Sequence, residues 1–279
     1  MKSTTQSSET IRLQPSKGWS PLDLADLWRF RELAFFLTWR DIKVRYKQTL
    51  LGASWAVLQP LLQMFIFNFL FGSLANLPTD GIPRPIFTFA ALLPWNLFSN
   101  ALNEASRSLV SNRNMITKVY FPKLLIPVSA VMSGIVDFSI AFVILVGMMV
   151  AYSVKLTAAV WALPGFLLLA LMAALGVGLW LAAWNLHFRD VKYLLPFLSQ
   201  FWMLASPIAY PLSNIPAQWQ MVYALNPMVG VVEGFRWALL GGEVFPSMAV
   251  GLSLVVSFAF LVSGLFYFRR LERTFADTV

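Results

Sequence analysis

The chain has 279 residues, 58% of them hydrophobic and 12% charged, half the charged share of an ordinary soluble domain. It has no cysteine and one histidine, His187, which excludes disulfides, iron–sulfur clusters and thiolate zinc sites. Stretches without Asp, Glu, Lys or Arg run over 52–75, 86–103, 138–154, 156–188, 193–232 and 244–268, and about 20 apolar helical residues cross a bilayer core. A soluble core holds one such run, not six. The excess of 21 Lys and Arg over 13 Asp and Glu therefore reads as membrane orientation rather than nucleic-acid binding.

Residues 1–20, rich in Ser, Thr and Gln without an apolar signal-peptide core, read as a flexible cytoplasmic tail. Residues 21–50 follow as cytoplasmic helices. Over 22–39, Leu24, Leu27, Trp28 and Phe35 alternate with Asp23, Asp26, Arg29 and Glu32, the pattern of an amphipathic helix lying in the membrane interface. A charge-dominated helix over 40–50 comes next. The transmembrane domain is expected over 51–270, and a cytoplasmic tail over 271–279.

Six spans are expected, near 52–75, 86–108, 122–152, 158–186, 192–211 and 246–268. That frame puts 18 of the 21 Lys and Arg on one side, leaving Arg84, Lys155 and Arg236 opposite. The positive-inside rule makes the rich side cytoplasmic, with both termini there. After the fifth span, Pro207, Pro211, Pro216 and Pro227 cut the chain into short pieces. The apolar stretch 228–240, closed by Gly241 and Gly242, covers about 20 Å and cannot span. It reads as a re-entrant or interfacial helix on the outer side, where Glu233 and Arg236 lie one helical turn apart, placed either to mark the mouth of a pathway or to pair locally. The fold class is thus all-α and integral to the membrane: six transmembrane helices, an N-terminal interface helix, and short re-entrant helices before the last span.

Polar residues inside the spans are arranged in rows. The second span carries Asn96, Ser99, Asn100, Asn103 and Arg107 on one face, and the first carries Trp55, Gln59, Gln63 and Phe67, each four residues on. The third carries Ser129, Ser133 and Asp137. Polar groups facing lipid are costly, so these faces look inward, either onto a hydrophilic translocation path or as interhelical hydrogen bonds. Ala174, Gly178 and Ala182 in the fourth span form a small-residue ridge for packing. Trp95, Tyr152, Trp161, Trp184 and Trp219 near span ends serve as interfacial anchors, although aromatic rings also stack on sugars. No Gly-Lys dipeptide supports a phosphate-binding loop, and neither G-x-S-x-G nor a histidine cluster is present. A transporter powered by another chain's ATP hydrolysis fits better than an enzyme.

Residues 40–62, RDIKVRYKQTLLGASWAVLQPLL, closely resemble the entry to the first span in type-2 ABC exporter permeases for O-antigen, capsular polysaccharide and teichoic acid. NRNMITKVYFPK (112–123), HFRDV (187–191), SPIAY (206–210) and NPM…FR (226–236) follow the same family in order. The resemblance covers about residues 20–270. It implies a homodimer with two separate ATP-binding-cassette subunits, which bind the ATP and magnesium, so that no cofactor is expected in this chain. It further implies export of a polysaccharide on an undecaprenyl-type lipid carrier across a bacterial cytoplasmic membrane. Coupling to the ATPase then falls on Arg40, Asp41, Arg45, Lys47, Asn112, Arg113 and Lys118, with positive-inside anchoring as the alternative for the basic residues. A permease for a lipid or drug shares the frame but needs neither the polar second span nor the basic entry. A membrane enzyme acting on lipid-linked sugars needs clustered carboxylates that the sequence lacks.

Overall fold

The computed structural model describes residues 24–47, 54–75, 77–79, 81–188, 190–242, 244–272 and 275, and among them the protein is all-helical. The expected N-terminal tail, the 48–53 connection and residues 276–279 lie outside the described residues. The helices are α1 (Leu24–Arg29), α2 (Arg31–Lys47), α3 (Ser54–Phe67, with a π-helical continuation Asn68–Leu74), α4 (Arg84–Ser111), α5 (Arg113–Lys118) and α6 (Leu125–Ala151). They continue with α7 (Leu163–His187, entered through a 3-10 turn Ala158–Ala162), α8 (Val191–Leu204), α9 (Ala217–Tyr223), α10 (Pro227–Leu240) and α11 (Ser247–Leu271).

Four of these stretches are long and apolar enough to cross a membrane: Ser54–Leu74, Leu125–Ala151, Ala158–His187 and Ser247–Leu271. They match four of the six expected spans, and the chain is an all-α integral membrane protein. The expected second span is α4, whose 28 residues reach about 42 Å. It stays outside the apolar set because its polar row interrupts the hydrophobic run. The stretch expected as the fifth span, 192–211, is helical only as far as Leu204, a 14-residue helix of about 21 Å. Pro207 makes the backbone beyond it hard to continue as helix, and residues 205–211 are held instead by the side chains of Asn226 and Arg236.

Local chemistry sets the helix ends. Asn226 caps α10 by accepting the Met228 N–H at 3.0 Å, and Pro227 occupies the first turn, where its missing N–H costs nothing. Gly241 ends α10 at φ +82°, a conformation other residues resist. The α10 range agrees with the expected short segment 228–240.

Helix α4 buries 18 of its 28 residues, with Phe89, Leu92, Phe98, Leu102 and Leu109 fully buried. It packs against α7 along the predicted small-residue ridge: Ala174 and Ala182 are inaccessible, and a Cβ on Gly178 would lie 2.7 Å from that of Ala105. On its other side α7 meets α11 almost backbone to backbone, since a Cβ on Gly264 would fall 2.4 Å from the Gly176 carbonyl. Small residues at both contacts allow the close approach on which helix association in membranes depends.

The amphipathic and charged segments expected before the first span are divided differently from the expectation at 39/40. The break falls at Phe30, and α2 runs unbroken through 31–47. Leu27, Phe30, Leu33 and Ala34 pack on a satellite core with Leu109, Ile116, Leu125 and Phe268. That core closes the end of the bundle that carries α5. A second cluster, built on Ile86, Met149, Leu163 and Leu239, closes the opposite end.

Candidate translocation and coupling site

Helices α2, α3, α4 and α6 enclose an open cavity of about 310 Å³. Its wall brings together Arg45, Trp55, Gln59, Asn96 and Asn100 of the expected residues, together with Tyr46, Glu104 and Asp137. A second cavity of about 420 Å³ continues toward the α5 end, lined by Arg40, Asp41, Ser108, Ser111 and Asn112 among others. Arg45 and Glu104 line both, so the two meet there. Arg40, Asp41, Arg45 and Asn112 of the expected coupling residues thus share one groove with Trp55, Gln59, Asn96 and Asn100 of the expected path residues.

The groove turns on Arg45. Its guanidinium donates to the Asp137 carboxylate and, at 3.2 Å, to Ser133 Oγ, and lies 3.7 Å from Glu104. Tyr46 Oη donates to the other Asp137 oxygen. Asp137 lies 12 residues into α6, about 18 Å along a membrane-spanning helix. A carboxylate at that depth needs a counter-charge, and the neighbouring Arg45–Tyr46 pair of α2 satisfies both of its oxygens. Burial, and then the hydrogen bond to Asp137, push the Tyr46 phenol up from its ordinary value, so it remains a donor.

The polar rows divide into committed and uncommitted groups. Asn96 Nδ2 donates to Gln63 Oε1 at 3.0 Å, joining α4 to α3 beside the Thr88–Asn68 hydrogen bond at 2.8 Å. Asn103 Nδ2 donates to the Ser99 carbonyl at 2.7 Å and to Ser199 of α8 at 3.3 Å. Gln59 and Asn100 line the cavity and bond to no described residue, and Trp55 shows half its surface. Phe67 does not join them: it is 8% exposed and belongs to the core beside Phe71. Arg107 is exposed and lines neither cavity.

At the α5 end, Arg40 Nε and Nη2 both donate to Asp41 Oδ1, at 3.0 and 2.7 Å, and Lys47, Arg113 and Lys118 are exposed. Asn112 joins α4 to α5. Its N–H and Nδ2 donate back to α4 carbonyls, and its own carbonyl accepts from Met115 and Ile116. The short helix α5 is therefore hung directly from the helix that lines the groove.

At the opposite end Glu233 and Arg236 are brought together at 3.2 Å. Arg236 is 5% exposed, donates to the carbonyls of Ile208 (2.6 Å), Phe87 (3.3 Å) and Tyr210 (3.4 Å), and stacks 3.6 Å from the Phe87 ring centroid. Glu233 also accepts the Leu212 N–H at 3.2 Å. Asn226 Nδ2 holds Ala205 and Ser206, and its Oδ1 accepts from Trp202. The SPIAY and NPM…FR segments are thus one hydrogen-bonded unit.

Sequence reasoning left Glu104 and Tyr46 out of the site. Glu104 continues the Asn96–Asn100 row at the same spacing of four, a signal that was present. Tyr46 carried none beyond standing next to Arg45.

An all-helical membrane protein with a polar groove opening between its helices, and basic helices at one end of it, has the build of a transport permease. The chain belongs to the ABC-2 type transporter family, whose profile matches residues 32–240. It is 32% identical to the O-antigen export system permease protein RfbA of Myxococcus xanthus, over 76% of this chain and 81% of that protein. It is 25% identical to RfbA of Klebsiella pneumoniae over 88% and 94% of the two chains. With the polysialic acid transport protein KpsM of Escherichia coli it shares 26% over 86% and 92%.

Proposed function

We propose that this chain is the permease subunit of an ATP-driven exporter that moves a lipid-linked polysaccharide such as O-antigen across the bacterial cytoplasmic membrane. It works as a homodimer with two ATP-binding-cassette subunits, which hold ATP and magnesium. The observation that carries this reading is the groove. Its coupling-end and mid-membrane cavities meet at Arg45 and Glu104, next to the Gln59 and Asn100 amides, which bond to no described residue. Exchangeable amides and an exposed Trp55 ring suit the hydroxyls and apolar faces of sugars. Arg45 faces two carboxylates there, Asp137 and Glu104, so the groove favours a neutral chain over a phosphate. The pyrophosphate of the carrier is better served by the exposed Lys47, Arg113 and Lys118.

In this reading α4 is the second span and α8 belongs to the fifth. The segments α9 and α10 re-enter from the outer face, with both termini cytoplasmic. Reporters fused after Lys118 and Lys192 are expected inside, and those near Gly81 and Ala217 outside; a cytoplasmic reporter at Ala217 overturns the re-entrant arrangement. The ATPase pushes on α5, and Asn112 passes that push to α4. Charge reversal at Arg40 with Asp41, or at Arg113 with Lys118, leaves the protein inserted and abolishes export.

The deciding experiment expresses the chain with its ATPase in cells lacking their own polysaccharide permease. Surface polysaccharide returns if the proposal holds. Accumulation of lipid-linked polymer inside the cell, despite both proteins being present in the membrane, refutes it.

A further inference from the structure

The last described residues of the chain do not trail away from the bundle. Glu272 Oε1 accepts the backbone N–H of Lys123 at 3.1 Å, and Lys123 Nζ donates to the Glu272 carbonyl at 3.0 Å. The other Glu272 oxygen lies 3.8 Å from Arg269, so the carboxylate is oriented from both sides. Phe275 is completely buried, edge-on to Phe268 at 5.2 Å, with Lys123 Nζ 5.8 Å from its ring centroid. A pair of hydrogen bonds and a buried ring tie Glu272 and Phe275 to the connection between α5 and α6 and to α11.

The other side of the contact explains why this matters. Helix α5 has six residues and buries only Ile116, far too little to be stable by itself. One end is fixed to α4 through Asn112. The other runs into residues 119–123, where Val119 and Tyr120 are exposed and Phe121 turns inward. Phe121, Ile116 and Leu109 share their core cluster with Phe268 and Phe275. The C-terminal residues therefore brace the link that joins α5 to α6.

We infer that Glu272 and Phe275 form a clamp that positions α5 against the last membrane helix, so that a push on α5 reaches α11 as well as α4. This inference rests on the coupling role proposed for α5. Without the clamp, the link between α5 and α6 loosens and the push is dissipated before it reaches α11. ATP hydrolysis then continues while transport fails.

The test uses the full chain with its ATPase in membrane vesicles, reading ATP hydrolysed and polysaccharide exported in the same sample. Phe275→Ala is expected to keep ATP hydrolysis and lose export per ATP several-fold, whereas Phe275→Leu, which refills the pocket, retains it. Because the chain has no cysteine, Lys123→Cys with Glu272→Cys gives a second, independent variant. Unlinked, it is expected to be uncoupled; joined by a short bifunctional thiol reagent, it recovers most of its export per ATP. Wild-type yield per ATP from the unlinked pair overturns the clamp, and so does a linked pair that stays uncoupled. If wild-type vesicles export but charge reversal at Arg113 and Lys118 has no effect, the coupling role of α5 is what fails. If wild-type vesicles export no polysaccharide, the exporter reading fails instead.

Discussion

Two arginine–carboxylate pairs, Arg45–Asp137 midway along α6 and Arg236–Glu233 on α10, show how one chemical unit is put to two uses. The Arg236 pair is sealed, with side chains 6% and 17% exposed, and Arg236 also donates to three carbonyls and covers the Phe87 ring. Every donor group of that guanidinium is spent on joining α10, α4 and the 205–211 loop, which makes it a rivet. The Arg45 pair is 26% and 19% exposed, lies in a groove, and has a second carboxylate, Glu104, 3.7 Å away. An arginine with two carboxylates in reach can exchange one for the other as α2 and α4 move. The Arg236 site is thus built for rigidity, while the groove holds its charges where water reaches them.

The sharpest way to break this comparison is to remove both arginines in turn. Arg236→Ala takes the counter-charge from Glu233 and removes three hydrogen bonds to carbonyls in a buried site, and is expected to cost roughly 3–5 kcal/mol. It should appear as a large drop in thermal inactivation temperature and in the amount of inserted protein. Arg45→Ala is expected to cost about 2 kcal/mol, between the limits for buried and exposed pairs, because water reaches a quarter of the pair. Its export should nevertheless fall more than its stability, and the swap Arg45→Asp with Asp137→Arg should restore stability better than export. Equal losses of stability for Arg236→Ala and Arg45→Ala would erase the distinction. A smaller effect sharpens it among the amides. Asn96→Ala breaks the bond to Gln63 and is expected to cost about 0.6 kcal/mol, the average for such bonds in membranes. Asn100→Ala, whose side chain has no described protein partner, leaves thermal inactivation unchanged and lowers export.

Much of this was legible in the sequence, for reasons that are local. Charge-free runs marked four crossing helices to within a few residues, Pro227 and Gly241 bounded α10, and the spacing of Ala174, Gly178 and Ala182 named the face that meets α4. Of the rows at 59, 63 and at 96, 100, 103, Gln59, Asn96 and Asn100 line the groove. Periodicity assigns a side chain to a face but not to a partner, so it left Gln63, Asn96 and Asn103, which are bonded across helices, undivided from Gln59 and Asn100. It also placed Phe67 with the path, because a spacing of four continues past the point where α3 turns its face into the core. Contacts between residues far apart in sequence, such as Lys123 with Glu272 and Tyr46 with Asp137, leave no periodic trace. The early end of α8 was equally hidden, since the hydrogen bonds that hold 205–211 come from Asn226 and Arg236.

The central claim is that Gln59 and Asn100 face water in a working path while the paired amides hold helices together. The measurement that tests it most directly is single-cysteine substitution in this cysteine-free chain, with a membrane-impermeant thiol reagent applied to the assembled transporter with and without ATP. The account predicts fast labelling at Gln59→Cys and Asn100→Cys that rises during ATP turnover, slower labelling at Gln63→Cys and Asn103→Cys, and none at Ala174→Cys or Gly178→Cys. No labelling at Gln59→Cys and Asn100→Cys in any nucleotide state would contradict it, and would make the whole polar row an internal bond between helices.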